Sequence, residues 1–159
     1  MHHLPRAEIG EIVDRFGCRY FTETGGRAGA GIDEALAAGV RQVYSIERDH
    51  ALAIVTAFRH TTNRGVTIIH ARPDKGLAEV LPEIPAEAPA LFHLNAVLKP
   101  AEAVESQLRQ IAAARDVVRD VIVIDAARDP GFVEAVLGRA HRLERRAGAL
   151  CAYPLGGHS

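Results

Sequence analysis

The chain has 159 residues, 48% of them hydrophobic, with 19 Lys and Arg against 20 Asp and Glu. That is the size of one domain with one core, expected over residues 1–159, and the balanced charge supplies no field for holding nucleic acid or an anionic membrane. No apolar run approaches the roughly 18 residues of a membrane span, the first residues lack the order of a signal peptide, and Cys18 and Cys151 have no CxxC spacing, so a soluble, cytoplasmic protein is expected.

Ile9, Ile12, Val13 and Phe16 recur at three and four and predict a lead-in helix over 5–16, stopped by Gly17. A strand at about 19–24 follows, ending at Glu23 and Thr24, and then a glycine-dense turn from Gly25 to Gly31. An Ala- and Leu-rich helix runs to about Ala38, closed by Gly39. The second strand, 42–46, closes on Glu47; Asp49 can cap a helix reaching about His60 with Leu52, Val55 and Phe58 on one side. Residues 66–70 predict a third strand, 71–74 its exit loop, and 76–81 a short helix. Pro82, Pro85 and Pro89 exclude a regular element, leaving 83–88 as surface loop before a fourth strand at 90–94.

A long helix is expected over 101–114 with Val104, Leu108 and Ile111 as its buried stripe, then a fifth strand at 121–125 that is continuously apolar, as a central parallel strand is. Pro130 starts a last helix to about Arg146, on which Arg142, Arg145 and Arg146 form a solvated face, and 149–153 makes a final strand. Strand and helix alternate five times, which predicts a doubly wound α/β fold with a mainly parallel sheet. Thirteen residues after Arg146 leave room for one strand rather than a closing hairpin, so truncation there is expected, with an exposed edge that dimerisation would cover.

Function turns on the first loop. A glycine turn between strand and helix lets a ligand approach backbone and the free N–H groups of a helix start. It holds no Gly-Lys-Ser or Gly-Lys-Thr, which excludes a phosphate P-loop, and reading Gly29-Ala30-Gly31 as a dinucleotide fingerprint puts Glu34 where a small residue belongs. Instead an acid precedes the glycines, and a second acid, Glu47, ends the next strand 22 residues past Gly25, where nucleoside folds hold ribose hydroxyls.

Phe21-Thr22-Glu23-Thr24-Gly25, Gly29, Val43-Tyr44-Ser45-Ile46-Glu47, Val80-Leu81-Pro82, Ala90-Leu91-Phe92-His93-Leu94 and Ile124-Asp125-Ala126-Ala127-Arg128 resemble a class I S-adenosylmethionine-dependent methyltransferase, over about residues 20 to 130. The resemblance implies a Rossmann-like methyltransferase fold and S-adenosylmethionine as cofactor. It places Thr24, Gly25, Gly26 and Gly29 under the methionine part, Glu23 facing its amino end, and Glu47 on both ribose hydroxyls. Two positions depart from it. The third exit reads Ala71-Arg72-Pro73-Asp74 where relatives have Gly-Asp-Ser, leaving Asp74 or Arg72 to meet adenine. Leu94-Asn95-Ala96-Val97 replaces Leu-Asp-Ala-His.

Methyl transfer needs an aligned nucleophile, with a base where a proton must leave. His93, Asn95 and Asp125 are the candidates for that chemistry, with His70, Arg128 and Asp129 also at strand exits; His93 also reads as a bonded core histidine and Asp125 as a turn cap. No His and acid pair at ligand spacing argues for a metal. The leading expectation is methyl transfer to a small molecule; a binding-only nucleoside protein of the same fold is the alternative, and Glu23 disfavours an NAD-type oxidoreductase.

Overall fold

The structure is a computed structural model and describes residues 6–25, 29, 31–95, 100–127 and 129–156. The elements run α1 (Arg6–Phe16), β1 (Tyr20–Thr24), α2 (Ile32–Ala37), β2 (Gln42–Glu47), α3 (His50–Arg59), β3 (Val66–His70), α4 (Pro73–Val80), β4 (Ala90–Asn95), α5 (Ala101–Ala114), β5 (Val121–Asp125), α6 (Gly131–Leu137), β6 (His141–Arg146) and β7 (Ala149–Pro154). They form a seven-stranded sheet in the order β3-β2-β1-β4-β5-β7-β6. The first five strands are parallel, and β7 is antiparallel to both neighbours.

Period-two alternation divides the core between the two faces. Phe21, Val43, Leu91, Val121 and Val123 pack with Ile9, Ile12 and Val13 of α1 and Ile32 and Ala35 of α2. Ile46, Phe92, Leu94, Ile122 and Ile124 pack with Leu77 and Val80 of α4, Val104, Leu108 and Ile111 of α5, and Val133 and Leu137 of α6. The doubly wound, mainly parallel α/β fold is therefore as the alternation predicts, and the apolar stripe of α5 is the expected one.

Two expectations fail, for physical reasons. The last helix stops at Leu137, not Arg146, because Gly138 takes φ +64°, and the chain then enters β6. Ala147 (φ +48°) and Gly148 (φ +86°) make the two-residue, doubly positive turn that suits the twist of a hairpin, pairing Arg146 with Ala149. The sheet is thus complete at its C-terminal hairpin rather than truncated. Arg142, Arg145 and Arg146 lie on an edge strand, where charge blunts further pairing. On α3, Leu52 N donates to Asp49 Oδ1 at 2.9 Å, the expected cap; Ala53 and Thr56 face inward, and Leu52, Val55 and Phe58 are exposed.

Candidate functional site

β1 connects through α2 to β2 on one side, and the chain later returns to β4 on the other, so the strand order reverses between β1 and β4. Ligands of open α/β sheets bind outside the carboxyl ends at such a reversal. Glu23, Thr24, Gly25, Glu47, His93, Asn95 and Asp125 all converge there.

Glu23 stands opposite Ser45 on one side and His93 on the other, so the three share a row on the α1/α2 face of the sheet. Ser45 Oγ donates to Glu23 Oε1 at 2.8 Å, and the carboxyl is only 2% exposed. Burial raises its pKa to about 7, with Glu47 and Asp125 adding to the rise and His93 and the Ser45 bond opposing it. One strand further, His93 Nε2 lies 2.7 Å from Asp125 Oδ2. Burial pulls the imidazole down, but the bond to Asp125 and the charges of Asp125 and Glu23 outweigh it, and the net direction is up. His93 and Asp125 thus share one short hydrogen bond that favours the protonated imidazole.

The glycine loop is pinned from two sides. Asn95 Nδ2 donates to Gly25 O at 3.0 Å, and Thr24 Oγ1 donates to Gln107 Oε1 of α5 at 3.0 Å, a buried pair 83 residues apart in sequence. Gly25 takes φ +66°. A Cβ at Gly31 would lie 2.8 Å from Ile9 Cδ1 and 3.2 Å from Phe21 Cζ, so a larger residue there would push these two buried side chains aside. Gly26 lies outside the described residues, as does Arg128.

Glu47 is nearly buried at the end of β2, and its Oε1 accepts from Asp49 N at 2.9 Å, which fixes the carboxylate's direction. Beside it opens a cleft of about 480 Å³ lined by Arg48, Arg72, Asp74, Pro100, Ser106 and Gln107, among others, a volume in the range of small-molecule sites. Arg72 Nε and Asp74 Oδ1, separate candidates in the sequence, pair with each other at 3.2 Å on its wall. Gln110 Nε2 donates to Asp74 O at 2.8 Å, so Gln107 and Gln110, one turn apart on α5, hold both sides of the cleft.

Sequence reasoning missed Arg48, Gln107 and Gln110. The first follows directly after Glu47, which is the signal that was there to use; the glutamines carry none until α5 is laid across the sheet. Two other exit residues serve elsewhere. His70 sits against His50 (Nδ1 to Nδ1 3.4 Å), and Asp129 Oδ1 accepts from Gly131 N at 2.8 Å as a turn former. Among the described residues no group of three His, Cys, Asp or Glu could hold a metal, and no helix is long and apolar enough to cross a membrane.

No protein-family profile and no curated sequence matches the chain. Solved structures do. A Staphylococcus aureus protein described as a candidate caffeoyl-CoA O-methyltransferase superposes with TM-score 0.71 at 10% identity, over 97% of this chain and 84% of that one. A Geobacter sulfurreducens methyltransferase gives 0.71 at 10%, over 96% and 80%. The magnesium protoporphyrin IX methyltransferase of Synechocystis, solved with S-adenosylmethionine bound, gives 0.60 at 10%, over 93% and 79%. At such identities the likeness is one of fold: this chain has the class I S-adenosylmethionine-dependent methyltransferase-like fold.

Proposed function

We propose that the protein is an S-adenosylmethionine-dependent methyltransferase acting on a small-molecule acceptor. The observation that carries this is a buried carboxylate, Glu47, fixed by Asp49 N at the carboxyl end of β2, with the next residue, Arg48, lining a cleft of about 480 Å³. The residues present fit the cofactor. Glu47 has two acceptor oxygens for two ribose hydroxyls. The cleft walls offer the guanidinium planes of Arg48 and Arg72 and the Asp74 carboxylate to a purine. Thr24, Gly25 and Gly29 would bed the amino-acid part, with Glu23 behind them, and Gly26, outside the described residues, is proposed for the same role by its place in the sequence.

When bound, S-adenosylmethionine supplies a methyl group activated by its sulfonium. The chain's part is alignment and proton handling. Asn95 holds the glycine loop through Gly25 O. His93 and Asp125 are the proposed proton-handling pair: Asp125 Oδ2 holds the Nε2 proton, so above the raised pKa the proton lost from His93 is the one on Nδ1, and that nitrogen can then accept a proton from the methyl acceptor. Turnover of acceptors that lose a proton therefore rises with pH. The test is incubation with methyl-labelled S-adenosylmethionine and a panel of small phenols, amines and thiols. Label should move to at least one class, and Glu47→Ala and His93→Ala should each lower the transfer. Cofactor binding with no transfer to any class would overturn the enzymatic reading.

A further inference from the structure

His50 and His70 come from separate elements and meet at the carboxyl end of the sheet. His50 opens α3, and His70 ends β3, the edge strand, in register with Glu47 of β2. Both histidines are exposed, and their Nδ1 atoms stand 3.4 Å apart. The ring centroids are farther apart, at 4.8 Å, with the planes inclined by 51°, so the two nitrogens are turned toward each other and the rings are not stacked. On the other side of its ring, His70 Nε2 lies 3.2 Å from the carbonyl oxygen of Arg48. A carbonyl only accepts, so this bond puts the proton on Nε2 and, in the neutral ring, leaves the lone pair on Nδ1, facing His50.

Nitrogens 3.4 Å apart fit poorly as a hydrogen-bonded pair, since N–H donors reach their acceptors at about 2.7–3.2 Å. The distance is instead the bite of a tetrahedral ion. Two N–metal bonds of about 2.0–2.1 Å at the tetrahedral angle set their nitrogens about 3.3–3.4 Å apart, whereas a square-planar ion needs about 2.8–3.0 Å. The carbonyl behind His70 is also the kind of partner that metal-bound imidazoles keep on their other nitrogen, where it fixes tautomer and ring direction. We propose that His50 Nδ1 and His70 Nδ1 form a two-histidine site for a tetrahedral divalent ion of the zinc class. Imidazole suits zinc, while magnesium and calcium take oxygen ligands. Among the described residues no third His, Cys, Asp or Glu joins the pair in a metal-holding group, so water completes the coordination and the affinity is modest. The bound ion ties the start of α3 to the end of β3 around the Arg48 backbone, and Arg48 lines the cleft. The two histidines have no part in the methyl transfer proposed above, so either reading can fail alone.

Calorimetric titration of the metal-stripped full chain with zinc chloride tests this, with magnesium chloride run in parallel. A saturable zinc-binding step is expected, with a dissociation constant on the order of 10–100 µM, and no magnesium step. His50→Ala and His70→Ala should each weaken that step at least about tenfold. Both side chains are exposed, so the far-ultraviolet circular dichroism spectra of the variants should match the wild type. Zinc should raise the Tm of the wild-type chain and of neither variant, because an ion held only by the folded state stabilises it. His2 and His3 lie outside the described residues and are a second source of imidazole; a chain with both replaced by alanine should keep the zinc step. A wild-type chain that binds no zinc up to about 1 mM would overturn the proposal. So would binding unweakened by His50→Ala or His70→Ala, or binding that disappears with His2 and His3.

Discussion

The two ends of the sheet each bury a carboxyl group, and they treat it in opposite ways. At the amino end, Asp120 is fully buried and fully answered. Arg115 Nε reaches Oδ2 at 2.7 Å and Nη2 reaches Oδ1 at 3.0 Å, while Ala90 N donates to Oδ1 at 3.1 Å. The rest of the guanidinium is taken up by Ala88 O at 2.8 Å and Pro85 O at 3.4 Å. At the carboxyl end, Glu23 is buried to the same degree but, among the described residues, receives one hydrogen bond, from Ser45. The first arrangement is complete within the protein and ties the proline-rich loop to β4. The second leaves an acid with a single such bond at the sheet end where ligands bind; burial raises the pKa of both acids, opposed at Asp120 mainly by Arg115, and it takes Glu23 to about 7.

That contrast can be broken first where it is stiffest. Arg115→Ala strands a buried charge and should cost about 3–5 kcal/mol in urea unfolding; a loss under 1 kcal/mol would mean that the pair is incidental. Glu23→Gln comes next. The Glu23 carboxyl holds its proton in the fold to about pH 7, against 4.5 for an unperturbed glutamate. Its contribution to stability is therefore fully present below pH 4.5 and is lost as the pH rises through 7, on the order of 3 kcal/mol in all. Glutamine keeps the neutral shape at every pH, so the variant should lack that slope; parallel pH–stability curves for the two proteins would contradict the account.

Two smaller effects sharpen the site itself. Glu47→Ala should weaken S-adenosylhomocysteine binding by more than about 1 kcal/mol through loss of charge-assisted hydrogen bonds, and unchanged affinity would remove Glu47 from the site. Gln107→Leu deletes the buried partner of Thr24 and should lower cofactor affinity several-fold while costing about 1–2 kcal/mol of stability. A stability loss with unaltered affinity would make the glutamine purely structural.

Much of this was legible in the chain. β5 announces itself because a strand buried on both faces is a continuous apolar run, and α5 because its buried residues keep helical spacing. The acids at Glu23 and Glu47 stood out because each comes at the end of a short run of strand formers. What escaped follows from the same physics. β6 is an edge strand, so His141–Arg146 carries the charges that edges need and reads as a helix surface; its turn, Ala147-Gly148, lacks the Asn-Gly or Asp-Gly that would have marked it. On α3, periodicity identifies an apolar stripe without saying whether the sheet or something else covers it. The pairing of His93 with Asp125, and of Thr24 with Gln107, depends on which strands and helices become neighbours, and the order of the sheet supplies that.

The most direct test of the site is calorimetric titration of the purified chain with S-adenosylhomocysteine, with NAD run in parallel. The account predicts one micromolar site for S-adenosylhomocysteine and none for NAD. Absence of binding to S-adenosylhomocysteine would show that the glycine loop, Glu47 and the cleft beside it do not form a cofactor site, and would contradict the central claim.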